Sequence, residues 1–261
     1  MLDDYRAALV TGASRGIGKA FAQQLAALGI DLVLVSRSEE LLCSLAGELS
    51  SRHGVQVHVI AADLSEPSAA ASLCRKVEEL GVEIDLLVNN AGYSKMGEFT
   101  ALGYDVQADM VRLNVNTLME LTHLFLPAMR RRDRGGVINV ASNAAFQPVP
   151  RMAVYAATKA FVLSFSEAVA EEVSGDGVRV MALCPGATDT DFWNVAGTWE
   201  ERRTSMPGPD KVVAAGLRAF ERGRSFFVPG FVNRVVAFFS RRVLPRWLVV
   251  RLAGAWFGEK L

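Results

Sequence analysis

The segment AALVTGASRGIG, residues 7–18, decides the fold. It begins with a short apolar run, and a helical pattern follows, in which Ile17, Phe21 and Leu25 recur on one face. A strand, a glycine-rich turn and a helix N-terminus in this order form an anion site, because glycines let a phosphate approach the backbone and free N–H groups bind it. The spacing is GxxxGxG and therefore differs from the common GxGxxG dinucleotide fingerprint, but the turn binds a phosphate by the same mechanism. A glycine-rich turn without a ligand is the alternative.

Strand and helix patterns alternate along the rest of the chain. Further strands are predicted at 31–37, 55–61, 84–88, 136–142 and 178–183. Helices are predicted between them at 39–51, 67–80 and 105–131, the last interrupted near Asn114 because asparagine is a poor helix former. This alternation predicts an α/β fold, a Rossmann-like doubly wound parallel sheet with helices on both faces. Ligands of such sheets bind at the carboxyl ends of the strands.

One catalytic domain is expected over residues 1–230, with a substrate lid around 187–206. Residues 231–261 form a basic and aromatic extension in which helices are expected. Six basic residues and one acid give the segment 229–261 a net charge of +5, against −5 for residues 1–228. No run free of arginine approaches the ~20 apolar residues that span a bilayer. The extension is therefore expected either to lie in a membrane interface or to pack on the body or a neighbouring subunit.

Tyr155 and Lys159 stand four residues apart and so share one face of a helix. A nearby ammonium group favours the phenolate form and lowers the pKa of a tyrosine. The pair predicts that Tyr155 acts as an acid or base on a carbonyl or an alcohol, with Lys159 tuning it. A buried tyrosine beside a surface lysine is the commoner meaning of an isolated YxxxK pattern.

The end of the second predicted strand bears on the choice of nucleotide. In dinucleotide folds an acid at this position suits a free ribose hydroxyl, and an arginine suits a 2′-phosphate. Here Ser36 and Arg37 occupy the end, and no acid appears before Glu39. Arg15 offers a second cation. The pattern predicts NADP rather than NAD, and a solvated arginine is the alternative for either cation.

Composition excludes several classes of function. The 28 basic and 28 acidic residues cancel, which argues against nucleic acid as the main partner. Cys43, Cys74 and Cys184 show no paired spacing, and the three histidines show no metal-ligand spacing, so no metal site is predicted. The acidic N-terminus leads directly into a strand pattern without a signal peptide. We expect a cytoplasmic protein, membrane-associated if the extension lies on a bilayer.

Together these segments resemble the short-chain dehydrogenase/reductases in their compact single-domain form. The resemblance covers roughly residues 5–230. It rests on TGASRGIG at 11–18, Asp63, NNAG at 89–92, Asn114, Ser142, YAATK at 155–159 and PGATDT at 185–190. The runs GVRVMALCPG and YAATKAFVLSF are also similar to bacterial oxidoreductases and to reductases of long-chain acyl and steroid ketones.

The resemblance implies the roles of the site residues. Asn114, Ser142, Tyr155 and Lys159 would form the catalytic tetrad: Ser142 holds the substrate oxygen, Tyr155 transfers the proton, and Asn114 binds a water that leads to Lys159. The glycine-rich turn would hold the pyrophosphate, and Asp63 with Leu64 the adenine. The implied cofactor set is Gly12, Ser14, Arg15, Gly16, Ile17, Gly18, Arg37, Asp63, Leu64, Asn90, Ala91, Gly92, Tyr155, Lys159, Pro185, Gly186, Thr188 and Thr190. Relatives usually pair the helices from Asp105 and Ala153, which implies a homodimer or homotetramer.

Three segments, 93–99, 144–152 and 187–206, are expected to wall a substrate pocket. Their large side chains are mostly apolar and include Phe99, Trp199 and Met206. The six predicted pocket residues among them are Tyr93, Met96, Phe146, Met152, Phe192 and Trp193. Such a lining favours a lipophilic carbonyl compound, 3-oxoacyl or steroid-like, over a sugar or a small acid. The alternative is that several of these residues only pack a lid on the body.

Two functions from different classes are compatible with the sequence. One is an NADP-dependent oxidoreductase acting on a lipophilic ketone or secondary alcohol. The other is a non-catalytic dinucleotide-binding sensor or scaffold. The complete tetrad argues against the second, because a protein without turnover is free to lose it.

Overall fold

The computed structural model describes residues 2–197 and 206–258. A single sheet of seven parallel strands, in the order β3-β2-β1-β4-β5-β6-β7, forms its centre. The strands are β1 Ala7–Thr11, β2 Asp31–Ser36, β3 Val57–Ala61, β4 Leu86–Asn89, β5 Gly135–Val140, β6 Val178–Leu183 and β7 Phe226–Phe227. The predicted doubly wound sheet is confirmed. The order reverses direction between β1 and β4, which is where a ligand crevice is expected.

Helices cover both faces of the sheet. They are α1 Gly16–Ala27, α2 Glu39–His53, α3 Ala69–Glu79, α4 Tyr104–Val111, α5 Leu118–Arg131, α6 Ala153–Glu172, α7 Phe192–Ala196, α8 Pro209–Glu221, α9 Phe231–Arg242 and α10 Arg246–Gly258. Side chains alternate along β1, so that Ala8 and Val10 pack under α1, α2 and α8. Ala7 and Leu9 pack on the opposite face, under α3, α5 and α6. Both faces of the central strands are therefore buried, as in other sheets with parallel crossovers.

The interruption predicted near Asn114 is a π-helical segment, Arg112–Thr117, between α4 and α5. π-Helical turns inside longer helices often stand at functional sites. Thr117 ties the segment to the end of β3, because its Oγ1 donates a hydrogen bond to the carbonyl oxygen of Leu64 at 2.7 Å. The segment thus presents Asn114 towards the carboxyl ends of the strands.

The C-terminal helices α9 and α10 pack on the body, which is one of the two arrangements expected for the extension. The Ser240 hydroxyl of α9 donates a hydrogen bond to Gln147 Oε1 at 2.9 Å, and Arg241 lies 3.7 Å from the Glu167 carboxylate of α6. The short strand β7, which the sequence did not predict, pairs with β6 and leads the chain into α9. These contacts place the extension over the carboxyl end of the sheet.

Among the described helices, α6 is long and apolar enough to cross a membrane by length and composition alone. It packs against the sheet instead. Asn139 of β5 donates a hydrogen bond from Nδ2 to Ser166 Oγ of α6 at 2.9 Å, and both side chains are fully buried. A buried polar contact of this kind fixes how α6 lies on β5.

Candidate active site

A cavity of about 1210 Å³ opens at the carboxyl ends of the strands. Most residues that the sequence implicated in cofactor binding or catalysis line it: Gly12, Ser14, Arg15, Gly16, Ile17, Arg37, Asp63, Leu64, Asn90, Ala91, Gly92, Ser142, Tyr155, Lys159, Pro185, Gly186, Thr188 and Thr190. Two implicated residues stand behind the wall. They are Gly18, which packs on the turn, and Asn114, which is 1% exposed.

The glycine-rich turn is held rigidly against β4. Gly12 takes a left-handed conformation with φ of +64°, which suits glycine, and Asn90 Nδ2 donates to the carbonyl oxygens of Thr11 and Gly12 at 2.9 and 3.1 Å. A Cβ on Gly18 would overlap the carbonyl oxygen of Gly12. The turn therefore brings backbone and helix into contact at a place where no side chain fits.

The N-terminus of α1 is open to a ligand. Its N-cap residue is Arg15, and the Arg15 side chain makes no capping hydrogen bond. The first turn of α1 also carries no acidic residue. Free backbone N–H groups and the positive end of the helix dipole together bind anions. The residues present therefore fit the pyrophosphate of a dinucleotide.

The end of β2 carries cationic and polar groups that fit an adenosine phosphate. Arg37, whose side chain is 79% exposed, lies 3.8 Å from the Asp63 carboxylate. Burial by itself raises the pKa of Asp63, but two hydrogen bonds from Ser65 and the charge of Arg37 outweigh it and lower the pKa. The buried Ser36 Oγ, which also lines the cavity, has no hydrogen-bond partner among the described residues. A buried hydroxyl without a partner is uncommon and is satisfied when a ligand oxygen reaches it.

Ser142, Tyr155 and Lys159 converge in the interior of the cavity. Ser142 follows β5, and its side chain lies close enough to the Tyr155 hydroxyl to exert a lowering effect on the pKa of that group. Its Oγ also accepts a hydrogen bond from the backbone N–H of Ala144 at 3.1 Å, which fixes its orientation. Lys159 donates from Nζ to the carbonyl oxygen of Val140 at 2.7 Å, and its Nζ lies 5.8 Å from the centre of the Tyr155 ring. Tyr155 and Lys159 are 7% and 6% exposed, so the surface-lysine alternative is excluded.

Burial dominates the protonation of both groups. It raises the pKa of Tyr155 to about 12, against the smaller lowering effect of the Ser142 hydrogen bond. It lowers the pKa of Lys159 to about 8. The predicted lowering of the Tyr155 pKa by Lys159 is not found in this structure, because desolvation raises that pKa and outweighs the lowering effect of Ser142. Tyr155 holds its proton at neutral pH and is ready to donate it.

Asn114 is fixed by three hydrogen bonds. Its Oδ1 accepts from the Tyr93 backbone N–H at 3.1 Å, and its Nδ2 donates to the Tyr93 carbonyl oxygen and to Thr158 Oγ1, at 3.0 and 3.2 Å. Thr158 in turn donates to the carbonyl oxygen of Tyr155 at 2.7 Å. The π-helical segment and the catalytic helix are thereby locked together. The water relay through Asn114 remains a prediction.

Four of the six residues predicted to wall the substrate pocket line the cavity: Tyr93, Met152, Phe192 and Trp193. The ring centre of Phe192 lies 5.6 Å from that of Tyr155 and 5.4 Å from that of Trp193. The prediction is wrong for two residues. Phe146 points into the core, with its ring centre 6.2 Å from that of Phe226, and Met96 packs beside Met110 and Met152. Residues 198–205 of the predicted lid lie outside the described residues.

The threonines of the segment after β6 differ in their contacts. Thr188 is 5% exposed, and its Oγ1 donates to the carbonyl oxygen of Gly186 at 3.0 Å. Its own carbonyl oxygen accepts from Trp193 Nε1 at 3.0 Å, which anchors α7. Thr190 stands over the glycine-rich turn, where a Cβ on Gly16 would lie 3.0 Å from its methyl group. The segment thus closes over the place where the cofactor residues converge.

The sequence did not identify a third wall of the cavity. It comes from the C-terminal helices and consists of Val232, Asn233, Val235, Val236, Phe239, Ser240, Leu244, Val249, Leu252 and Ala253. The spacing of Val232, Val236 and Phe239 along α9 is the signal that could have predicted one apolar face of a helix. The segment from Val232 to Ala253 therefore belongs to the site as well as to the surface.

Comparisons with known proteins agree with this geometry. The family model described as short chain dehydrogenase matches residues 6–201. The chain is 39% identical over 214 residues to a very-long-chain 3-oxoacyl-CoA reductase of Anas platyrhynchos, which covers 80% of this chain and 67% of that protein. It is 30% identical over 247 residues to the inactive hydroxysteroid dehydrogenase-like protein 1 of Homo sapiens, covering 94% and 74%. The solved structure of a short-chain dehydrogenase from Sphingobium yanoikuyae in complex with NADPH has a TM-score of 0.81 at 33% identity, covering 97% and 94%.

Proposed function

This chain belongs to the short-chain dehydrogenase family of NAD(P)-dependent oxidoreductases, and from that premise we propose that it interconverts a lipophilic ketone and a secondary alcohol with NADPH as the hydride donor. The observation that carries the proposal is the convergence of Ser142, Tyr155 and Lys159 inside a largely apolar cavity. Tyr155 is protonated at neutral pH, which suits the reduction of a carbonyl.

The residues of this chain have distinct parts in the proposed reaction. Ser142 donates a hydrogen bond to the carbonyl oxygen and holds it beside the Tyr155 hydroxyl. Bound NADPH would supply a hydride to the carbonyl carbon. Tyr155 gives its proton to the oxygen, so that ketone, hydride and proton become a secondary alcohol. Lys159, with its pKa lowered to about 8, is still cationic near pH 7 and stabilises the phenolate that the transfer leaves behind.

The walls of the cavity support a lipophilic substrate, 3-oxoacyl or steroid-like. Met152, Phe192 and Trp193 stand on one side, and the valines and Phe239 of α9 stand on the other. Apolar walls with a few polar groups at one point bind a hydrophobic molecule and orient its single reactive group. The relatives named as a 3-oxoacyl-CoA reductase and a hydroxysteroid dehydrogenase-like protein point to the same two classes.

The direct test measures NADPH oxidation with matched pairs of ketones. We expect turnover with a long-chain 3-oxoacyl thioester or a steroid ketone, and little with short, charged ketones of the same reactivity. Turnover confined to the charged ketones would contradict the substrate class. NADPH binding without oxidation of any ketone would instead favour a non-catalytic dinucleotide-binding sensor or scaffold, for which the inactive relative is the supporting observation.

NADP rather than NAD is the proposed cofactor, and the two cations Arg37 and Arg15 and the Ser36 hydroxyl, which all line the cavity, support this choice. Replacing Arg37 with Asp is expected to weaken NADPH binding by about 10- to 100-fold, the cost of a charge-assisted hydrogen bond, and to leave NADH binding nearly unchanged. Titration of both nucleotides checks this. Arg75→Asp, at an exposed position outside the cavity, is the matched control. Equal losses for both nucleotides would remove Arg37 from 2′-phosphate recognition.

Short-chain dehydrogenases commonly form oligomers, and we propose a homodimer or homotetramer built on α4, α5 and α6. Exposed apolar side chains on these helices support it: Val106, Val111, Met119 and Phe161. The Phe161 ring stacks on Phe165 at 5.7 Å and is 37% exposed. In solution at low concentration we expect two or four times the 28.3 kDa chain mass.

A charge on that face should weaken the assembly. Phe161→Glu is expected to raise the dissociation constant by roughly tenfold or more, because an interface aromatic is often a hot spot. Leu28→Glu, at an exposed position on the other side of the sheet, controls for the added charge. A wild-type chain that is monomeric by light scattering would contradict the assembly.

We further propose a cytoplasmic location with peripheral membrane contact through the C-terminal helices.

A further inference from the structure

Several side chains of α9 and α10 both line the cavity and reach the surface. Val232 is 72% exposed, Leu252 is 54% exposed and Phe239 is 44% exposed, yet all three are part of the cavity wall. A side chain that faces the cavity and the solvent stands at the rim of the opening. The mouth of the substrate cavity is therefore an apolar rim formed by the C-terminal helices.

Exposed apolar side chains continue from this rim over the outside of the two helices. Phe231, Phe238, Val243 and Trp247 are between 54% and 73% exposed. The buried side of α9 carries Ala237 and Ser240, small side chains that let the helix lie flat on the body. Exposed apolar side chains gathered in this number on two successive helices mark an interaction surface rather than ordinary exposure. We call this surface, residues 231–252 with their outward side chains, the mouth surface.

The helices α9 and α10 themselves carry no aspartate or glutamate, and five arginines stand among these apolar groups: Arg234, Arg241, Arg242, Arg246 and Arg251. One of the five, Arg241, lies 3.7 Å from the Glu167 carboxylate of α6. Two of the arginines lie against aromatic rings: Arg234 Cζ is 6.0 Å from the Phe231 ring centre, and Arg251 Cζ is 5.5 Å from the Trp247 ring centre. Aromatic rings at the interface depth, with guanidinium groups reaching phosphates, are how interfacial helices bind lipid.

From the rim, the apolar surface and its charge we propose that the mouth surface docks on an anionic phospholipid bilayer, so that the lipophilic substrate enters the cavity from the lipid. Charge complementarity favours this occupant. A second copy of the chain would bring two arginine-rich surfaces together, and α9 and α10 carry no aspartate or glutamate to pair with them. An anionic bilayer instead neutralises the arginines, each of which strengthens binding about fivefold near such a surface.

The docking part of the proposal is independent of catalysis, whereas the delivery part rests on the proposed reduction of a lipophilic ketone. A substrate of that class partitions into lipid and is scarce in water. When the cavity opens into the bilayer, the substrate enters it without first passing through water. The product alcohol leaves by the same route.

Docking is tested by sedimentation of the full-length protein with vesicles of phosphatidylglycerol and phosphatidylcholine. We expect the protein to sediment with these vesicles at low salt, to be released by high salt, and to stay in solution with phosphatidylcholine alone. Phe238→Ser with Trp247→Ser, two exposed positions outside the cavity wall, should lower vesicle affinity at least tenfold. Tyr104→Ser, at an exposed aromatic on α4, should bind as the wild type does.

Arg234→Gln with Arg251→Gln provides an independent variant that keeps the apolar groups. Its vesicle affinity should fall by about fivefold for each arginine removed, and its binding should depend less on salt than that of the wild type. Wild-type protein that stays in the supernatant with anionic vesicles at low salt would overturn the proposal. If the wild-type protein does not bind vesicles, and the Phe238→Ser, Trp247→Ser variant has a lower mass in solution than the wild type, the surface would instead be assigned to contact with a second copy of the chain.

Delivery is tested with two homologous ketones, a soluble one supplied in detergent-free buffer and a long-chain one supplied in anionic vesicles. The Phe238→Ser, Trp247→Ser variant should match the wild type on the soluble ketone and lose at least tenfold on the vesicle-borne ketone. If the variant also matched the wild type on the vesicle-borne ketone, delivery of the substrate from the bilayer would be overturned. No reduction of either ketone by the wild type would contradict the proposed function and leave the sedimentation result to decide docking.

Discussion

Replacing Tyr155 with phenylalanine is expected to lower kcat by about 10²- to 10⁴-fold, the usual contribution of a positioned acid, and to leave NADPH binding close to that of the wild type. The phenylalanine ring keeps the packing against Phe192 at 5.6 Å, so only the proton donor is lost. Steady-state kinetics give kcat, and a fluorescence titration of NADPH gives the dissociation constant.

Tyr104→Phe removes a hydroxyl from a tyrosine that is 82% exposed and serves as the matched control. Its kcat should equal that of the wild type. A Tyr155→Phe enzyme within threefold of the wild type would remove Tyr155 from proton transfer. A variant that loses NADPH binding in the same proportion as turnover would make the role of Tyr155 structural.

Replacing Gly18 with alanine is expected to lower the free energy of unfolding by about 1–3 kcal/mol, the usual cost of overpacking. NADPH affinity should fall by about tenfold or more, or ~1.4 kcal/mol per factor of ten. The added methyl group would overlap the Gly12 carbonyl oxygen and lie against Asn90 Nδ2. Both groups form the turn that is proposed to hold the pyrophosphate. Thermal unfolding with and without NADPH separates the two effects.

The control is Gly47→Ala in α2, where an added Cβ meets no atom within 4 Å. Alanine there should stabilise the protein by roughly 0.5–1 kcal/mol, because glycine is a poor residue inside a helix. Should Gly18→Ala bind NADPH as tightly as the wild type, the close contact at the turn would have no part in cofactor binding.

Local sequence patterns predicted the sheet because the apolar residues that form each strand pattern are also the residues that the fold buries. The β1 segment is apolar along its whole length, which in a parallel sheet with helices on both faces means burial on both sides. Tyr155 and Lys159 meet because a helical spacing of four brings them together wherever the helix lies. The bend at Asn114 followed from the poor helix propensity of asparagine, and the structure has a π-helical segment there.

Features that depend on distant parts of the chain were beyond prediction. Phe146 and Met152 belong to one predicted wall, yet the 3-10 turn Asn143–Phe146 sends Phe146 into the core. The wall that α9 contributes lies about 80 residues from Tyr155 in sequence, and only the packed structure brings Phe239 to the cavity. The spacing of Tyr155 and Lys159 predicted contact but not burial. Burial decides both pKa values.

The packing of the C-terminal helices also changes the expected result of truncation. A chain that ends near Gly230 would lose the cavity wall that Val236 and Phe239 provide and the hydrogen bond between Ser240 and Gln147. Vesicle binding is therefore better tested with surface substitutions such as Phe238→Ser than with a shortened chain.

Transfer of the hydride from the nicotinamide to the substrate is followed with a labelled cofactor. The wild-type protein is incubated with a lipophilic ketone in two separate reactions, with NADPH that carries deuterium on one face of C4 or on the other. The mass of the product is then measured by mass spectrometry. From the proposed reduction we expect a secondary alcohol with deuterium on the carbinol carbon from one of the two labelled cofactors and not from the other. An alcohol without deuterium from either, or no alcohol at all across 3-oxoacyl and steroid ketones, would contradict it.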